Sequence, residues 1–125
     1  MKQHENCSIE ELVTKFTQAA LARGFAMKNN DAKSANTAFE EEASLLRELE
    51  THGPSGVMRL VSLLDSHDPW VRCDSAIPLL FFLPEQGKIA LQQIVGQERG
   101  ALRTIARTTL DQWQQGKLKR WWEKC

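Results

Sequence analysis

The chain has 125 residues, of which 42% are hydrophobic and 26% charged, a composition that suits one domain with its own core and argues against disorder. Sixteen basic residues balance sixteen acidic ones, so the chain lacks the overall positive charge typical of general nucleic-acid binding. The balance is uneven, because residues 1–50 have six basic and nine acidic side chains, whereas residues 116–125 have four basic and one acidic.

The cysteines and the apolar runs indicate a reducing, cytoplasmic location. Cys7, Cys73 and Cys125 are an odd number with no short spacing between any two, which fits neither a disulfide framework nor a zinc site. We therefore expect no metal and no cofactor. The longest strongly apolar run, residues 77–83, is far too short to span a bilayer, and the polar first residues are not a signal peptide. We expect no membrane contact.

The first two helices are predicted from a capping sequence and two apolar stripes. Ser8 and Glu11 have the spacing of a capping box, which begins helix 1. A polar break at residues 28–31 separates it from helix 2, which stops at Gly53. The inward residues of helix 2 are Ala35, Phe39, Ala43, Leu46 and Leu49. Its solvent side is expected to present Glu40, Glu41, Glu42, Arg47, Glu48 and Glu50.

Four shorter helices follow in the second half of the chain. Helix 3 is predicted over residues 54–64, and helix 4 over residues 69–83 with Asp68 as its N-cap. Helix 4 is almost entirely apolar, so we expect it to be the most enclosed helix, bent at Pro78 where one backbone donor is missing. Helix 5 begins at Pro84, and helix 6 follows a turn at residues 96–100. No strand is predicted.

This second half repeats itself at a spacing of 31 residues. Four of the seven matched positions are identical and three are conservative apolar replacements. The pairs are Gly56 and Gly87, Leu60 and Leu91, Leu63 and Ile94, Leu64 and Val95, Val71 and Leu102, Arg72 and Arg103, and Leu79 and Leu110. A helical pattern of this period is typical of helical-hairpin solenoids. We therefore predict an all-α fold of three antiparallel hairpins, about six helices, in one domain of residues 8–115 with a tail of residues 116–125.

The turn between helices 3 and 4 has the sequence LLDSHDPWVR, residues 63–72, and resembles the turn of a HEAT repeat. The second copy, residues 94–103, keeps the apolar pair and the arginine but has Arg99-Gly100 in place of Asp-Pro. From about residue 9 to residue 115 the order of elements is similar to small bacterial HEAT-like proteins known as a domain of unknown function, and more loosely to HEAT-like immunity proteins. The resemblance implies a HEAT-like α-solenoid and assigns no catalytic residue.

Residue types suited to catalysis do not cluster in the sequence. His4 lies in a polar terminus, and His52 and His67 lie at opposite ends of helix 3, roughly 15–20 Å apart. They cannot share one metal or one substrate. Cys73 lies in the most apolar helix, where a free cysteine behaves as a small hydrophobic residue. We expect no enzymatic activity and no small-molecule substrate.

Two surfaces are candidates for binding, each with a structural alternative. The acidic side of helix 2 either attracts a basic partner or is a solvated face. The tail, with Trp121, Trp122 and neighbouring lysines, either folds back over the last hairpin or anchors a partner through its aromatic rings. Trp70, which directly follows the N-cap of helix 4, is expected to be half exposed.

The repeated arginines are a third candidate. Arg72 and Arg103 either tie their turns together, by reaching backbone carbonyls or the side chains of Asp65 and Asp68, or remain free as a small ladder for acidic groups. No glycine-rich phosphate loop accompanies them.

These features predict a non-catalytic protein-binding module, such as a bacterial immunity protein that covers a toxin or effector domain encoded nearby. The residues expected to contact the partner are Glu40, Glu41, Arg47, Trp70, Asp74, Arg103, Arg107, Trp121 and Trp122. One alternative is a HEAT-like nucleic-acid-binding protein, although its cations would be interspersed with Asp68, Asp74 and Asp111. The other alternative is a subunit of a HEAT-like lyase that acts through Cys73 or a carboxylate.

Overall fold

A computed structural model of the chain describes residues 7–123, so His4 and Cys125 lie outside the described residues. Within this range the chain forms six α-helices and two 3₁₀ helices, and no strand. The elements are α1 (Ile9–Lys28), α2 (Ala32–Glu50), α3 (Pro54–Met58), a 3₁₀ helix (Arg59–Asp65), α4 (Pro69–Leu79), α5 (Pro84–Gln97), α6 (Gly100–Gln114) and a C-terminal 3₁₀ helix (Trp121–Glu123).

The chain divides into two compact units. The first contains the described residues 7–59 and 121–123, and the second contains residues 60–120. In the first unit α1 packs against α2, and in the second α5 packs against both α4 and α6. The predicted all-α fold, with helices packed as sequential pairs, is confirmed. That the two units unfold together, as the single domain predicted for residues 8–115, stays a prediction.

Three helices begin at side chains that accept hydrogen bonds from the free amides of the first turn. Ser8 Oγ accepts from the Glu11 N–H at 3.1 Å, and Glu11 Oε1 accepts from the Ser8 N–H at 2.8 Å, which is the predicted capping box. Asp31 caps α2, and Asp68 caps α4 by accepting from the Trp70 N–H at 2.8 Å. Local sequence therefore sets where these helices start.

Repeat-related glycines allow close helix packing in each unit. A Cβ atom added to Gly56 in the first unit would overlap the backbone carbonyl of Leu49 in α2. A Cβ atom added to Gly87 in the second unit would lie 2.9 Å from the carbonyl oxygen of Ala76 in α4. Leu60 and Leu91, also repeat-related, are both fully buried. The 31-residue repeat thus corresponds to equivalent packing of helix against preceding helix.

Helix 3 differs from its prediction. Only five residues are α-helical, Pro54–Met58, and the predicted continuation is the 3₁₀ helix Arg59–Asp65. Three residues per turn bring Leu60 and Leu63 onto one side of this helix, and the larger rise per residue lengthens its reach. The apolar spacing of residues 60–64 fits both helix types, so it did not distinguish them.

Helix 4 ends at Leu79, four residues earlier than predicted. Leu83, which precedes Pro84, has φ −135° and ψ 70°, because a proline disfavours the α conformation in the residue before it. Because α4 ends at Leu79, Pro78 lies in its last turn. Only Leu79 follows Pro78 in the helix, so this proline does not bend it. The expectation that helix 4 is the most enclosed helix agrees with the structure, since eight of the eleven residues of α4 are buried.

Across the described residues no helix has the length and apolar content needed to cross a bilayer.

Candidate functional site

The exposed side of α6 presents a basic surface. The helix buries Leu102, Ala106, Thr109 and Leu110. The exposed residues of α6 include four that line one hollow and that we call the α6 arginine face: Arg103, Thr104, Arg107 and Thr108. Together with Gly100 they line this open hollow, which has a volume of about 360 Å³. Asp111, one turn after Arg107, is also exposed. Arg103 and Arg107 lie one turn apart, about 6 Å along the helix axis.

The two arginines of this face are available for binding. Within residues 7–123 neither Arg103 nor Arg107 makes a hydrogen bond or an ion pair. The neighbouring Thr104 hydroxyl donates to the Gly100 carbonyl at 3.2 Å and so belongs to the helix itself. The guanidinium groups therefore keep all their donors for a partner, and a carboxylate or a phosphate is the group that such donors bind best.

Arg72, the repeat equivalent of Arg103, has a structural role. Its Nη1 atom donates to the carbonyl oxygens of Ser66 at 2.8 Å and His67 at 3.3 Å. Its Nη2 atom lies 3.8 Å from Glu98 Oε2. Arg72 thus holds the turn before α4, as one of the two predicted alternatives stated, and its engagement leaves no ladder of two free arginines.

The acidic side of α2 is smaller than predicted. Glu40 is exposed and Glu41 half-buried, but Glu42 is only 2% exposed and Glu48 only 8%. The expectation that Glu42 and Glu48 lie on the solvent side is wrong, because helical spacing places them beside the buried residues Ala38, Leu45, Leu46 and Leu49 of the same helix. The carboxylates that remain at least partly accessible are Glu40, Glu41 and Glu50, and Glu50 accepts a hydrogen bond from Trp122 Nε1.

The aromatic residues of the tail pack on α2. Trp121 stacks on Phe39 with ring centroids 5.8 Å apart and planes 16° apart. Trp122 is fully buried, its Nε1 donates to Glu50 Oε1 at 2.8 Å, and its carbonyl oxygen accepts from Arg47 Nη1 at 2.8 Å. Of the two predicted alternatives, a tail that folds back onto the protein agrees with these contacts with α2. These residues contribute to the packing of the first unit.

Two further predicted contact residues are inside the protein. Trp70 is 5% exposed, so the expectation of a half-exposed ring is wrong, and Asp74 is 2% exposed rather than at the surface. The enclosure of α4 explains both positions. Cys73, in the same helix, is fully buried, which places its thiol out of reach of a substrate.

Metal-ligating side chains do not cluster within residues 7–123. No group of three or more histidine, cysteine, aspartate or glutamate side chains there could hold a metal ion. His52 and His67 are both exposed at turns.

Two surface features were not predicted from the sequence. Arg99, which directly precedes α6 and has an extended backbone, is exposed four residues before Arg103. On α1 of the first unit, Phe25 is 72% exposed and Leu21 is 44% exposed. They lie one turn apart and form a small apolar surface.

Comparison with known proteins supports the fold. The chain matches no family model and no curated protein. It is similar in structure to a protein described as "Crystal Structure of the Protein RPA1889 from Rhodopseudomonas palustris CGA009", with a TM-score of 0.88 and 22% sequence identity. The similarity covers 94% of this chain and 97% of that chain. At this identity the likeness shows a shared fold with a bacterial protein and nothing about activity.

Proposed function

We propose that this protein is a non-catalytic protein-binding module of the HEAT-like solenoid type, which holds an acidic partner protein on the α6 arginine face. The observation that supports the proposal is the pair Arg103 and Arg107, exposed one turn apart and without an intramolecular partner among the described residues. Arginine binds carboxylates through two parallel hydrogen bonds and is enriched at binding hot spots. The pair is therefore suited to recognising carboxylates on another protein.

The HEAT-like assignment is supported by the turn before α4 and by the repeated glycines. Asp68 caps α4 and Arg72 donates to the carbonyls of that turn, as the resemblance implies. Gly56 and Gly87 both meet the backbone of the preceding helix. Repeated units of this kind serve widely as binding surfaces.

The cellular role that we propose is that of a cytoplasmic immunity protein, or more generally an adaptor, that covers a toxin or effector domain in a bacterial cell. The small size of the chain, its balanced charge and the fold that it shares with a bacterial protein support this form. The α6 arginine face is favoured over the acidic side of α2 as the main contact, because Glu42 and Glu48 are buried and Glu50 accepts a hydrogen bond from Trp122.

The direct test is capture of a partner from a native lysate of the source organism by three forms of the tagged protein. These are the wild type, the double variant Arg103→Glu/Arg107→Glu, and a control, Lys117→Glu/Lys119→Glu, with the same charge change at exposed positions outside α6. We expect the wild type and the control to retain one stoichiometric protein, and the arginine variant to lose it. Capture of no stoichiometric protein by the wild type, or equal capture by all three forms, would contradict the proposal.

Nucleic-acid binding is the second candidate, and the same two arginines favour it, because guanidinium groups bind phosphates as well as carboxylates. Fluorescence anisotropy with duplex and single-stranded DNA over a range of salt concentrations separates the two functions. Salt-dependent DNA binding by the wild type that the arginine variant loses would move the assignment to nucleic acid.

A further inference from the structure

A second open hollow, of about 560 Å³, lies between α1 and α2 in the first unit, and we call it the α1–α2 hollow. Its apolar lining consists of Ala19 and Ala22 from α1 and Ala38 from α2. These small side chains leave space that a larger side chain can enter. Phe25 follows Ala22 by one turn of α1, so its ring, which is 72% exposed, lies beside the hollow.

The α2 side of the hollow has a row of polar residues with a defined charge order. Lys33, Thr37 and Glu41 line the hollow and follow one another at intervals of four residues inside the regular helix Ala32–Glu50. Each is therefore about 6 Å from the next along the helix axis, and the two charged residues are about 12 Å apart. The row has a cation at one end, a neutral residue in the middle and an anion at the other end.

Both charged residues can bind a group from outside the chain. The ammonium group of Lys33 makes no hydrogen bond or ion pair within residues 7–123. Glu41 takes part in an interaction inside the chain, but the two oxygens of a carboxylate accept from several donors at once.

This charge order is complementary to itself. If a second copy is rotated about a two-fold axis through Thr37, the Lys33 of each copy faces the Glu41 of the other. Two-fold dimers are the commonest protein oligomers, and they require a surface patch that is complementary to itself. A parallel arrangement of the two α2 helices would instead bring like charges together.

We infer that the α1–α2 hollow is a homodimer interface, in which the Phe25 ring of each copy enters the hollow of the other. The occupant is a second copy of this chain, because the same surface has the cation, the anion and the exposed aromatic ring that the hollow can bind. Burial of the ring against alanine side chains favours association, and the two pairs of Lys33 with Glu41 set the antiparallel orientation. The inference goes beyond the proposed function and does not depend on the α6 arginine face.

Sedimentation velocity of the full chain measures this association. We expect a weak dimer that forms at about 500 μM and dissociates on dilution to about 5 μM, because the patch is small. Phe25→Ala should weaken dimerisation at least about tenfold. The matched control Ile89→Ala removes an apolar side chain that is 50% exposed on α5, outside the hollow, and should leave the dimer unchanged. An unchanged urea midpoint shows that each variant is folded.

Charge exchange tests the two-fold arrangement. Lys33→Glu brings carboxylates opposite each other in the homodimer, and Glu41→Lys brings ammonium groups opposite each other, so each variant alone should dimerise about tenfold more weakly than the wild type. An equimolar mixture of the two variants restores both opposite-charge pairs and should form a mixed dimer about as tight as the wild-type dimer.

Three results would overturn the inference. They are a wild type that stays monomeric at about 500 μM, which would leave the hollow to a different partner, a Phe25→Ala dimer as tight as that of the wild type, and a mixture that associates no more tightly than either charge variant alone. If Glu41→Lys does not fold, Phe25→Ala and Lys33→Glu decide the outcome. A wild type that dimerises but captures no cellular protein contradicts the proposed function alone.

Discussion

The indole nitrogen of Trp122 donates a hydrogen bond of 2.8 Å to Oε1 of Glu50, a residue 72 positions earlier in the chain. The carbonyl oxygen of the same tryptophan accepts from Arg47 at 2.8 Å, and its ring is fully buried. The neighbouring Trp121 stacks on Phe39. The C-terminal 3₁₀ helix is therefore part of the packed core of the first unit.

Replacement of Trp122 should accordingly be costly. We expect Trp122→Ala to lower the free energy of unfolding by about 3–5 kcal/mol, because it removes a buried aromatic ring and leaves a cavity. Trp122→Phe should lower the free energy of unfolding by less, because it keeps an aromatic ring and loses only part of the buried side chain and the donor to Glu50. Urea unfolding followed by circular dichroism measures both, with the exposed Lys119→Ala as control. A loss below about 1 kcal/mol in Trp122→Ala would show that the tail does not stabilise the first unit.

The position of Trp122 shows which features sequence reasoning can reach. The start of α1 was predictable because Ser8 and Glu11 act over three residues, and the start of α4 because Asp68 and Pro69 do the same. The packing of Trp122 on α2 was not predictable, because nothing local specifies a contact across 72 residues. Local interactions thus set the starts of α1 and α4, while tertiary contacts decided where Trp122 packs.

The same distinction applies to the candidate site. Arg103 and Arg107 were predictable as exposed because they lie opposite the apolar stripe of α6. Glu42 was placed wrongly because its charge was given more weight than its helical position beside Ala38 and Leu45, which are buried. Helical spacing alone would have placed Glu42 among the buried residues of α2. Burying a carboxylate is costly, however, and the spacing does not show which groups offset that cost.

Two glycines of α5 should respond in opposite ways to the same substitution. A Cβ at Gly87 would lie 2.9 Å from the Ala76 carbonyl oxygen and 3.0 Å from the Leu80 nitrogen, both backbone atoms, whereas a Cβ at Gly96 meets nothing within 4 Å. We expect Gly87→Ala to destabilise the protein by about 1–3 kcal/mol through overpacking. Gly96→Ala should stabilise it by about 0.5–1 kcal/mol through helix propensity. Thermal and urea unfolding measure both, and equal effects would mean that α4 and α5 are not packed this closely.

The repeat-related arginines should separate stability from binding. Arg72→Ala removes hydrogen bonds to the carbonyls of Ser66 and His67 and should lower the free energy of unfolding by about 1.5–3 kcal/mol. Arg103→Ala should change it by no more than about 0.5 kcal/mol, because the side chain is exposed. Partner capture should show the opposite order, with the larger loss in Arg103→Ala. A stability loss of similar size in both variants would contradict the division of roles.

The capping box of α1 predicts a dependence of stability on pH. The Ser8 N–H and the Ser8 hydroxyl lower the pKa of Glu11 below its ordinary value of 4.5. A carboxyl whose pKa is lower in the folded state stabilises the fold above its unfolded pKa, and the stabilisation is lost as the pH falls through the folded pKa. The wild type should therefore be more stable than Glu11→Gln at about pH 7, and the difference should shrink as the pH falls below 4.5.

Urea unfolding of the wild type and Glu11→Gln at several pH values measures this difference. Gln18→Ala is the matched control on α1, because Gln18 is exposed and does not titrate, so its difference from the wild type should stay constant with pH. A chemical-shift titration of the Glu11 carboxyl gives the folded pKa directly. A midpoint at or above 4.5, or a Glu11→Gln difference that persists in acid, would mean that the carboxylate does not hold the first turn of α1 in solution.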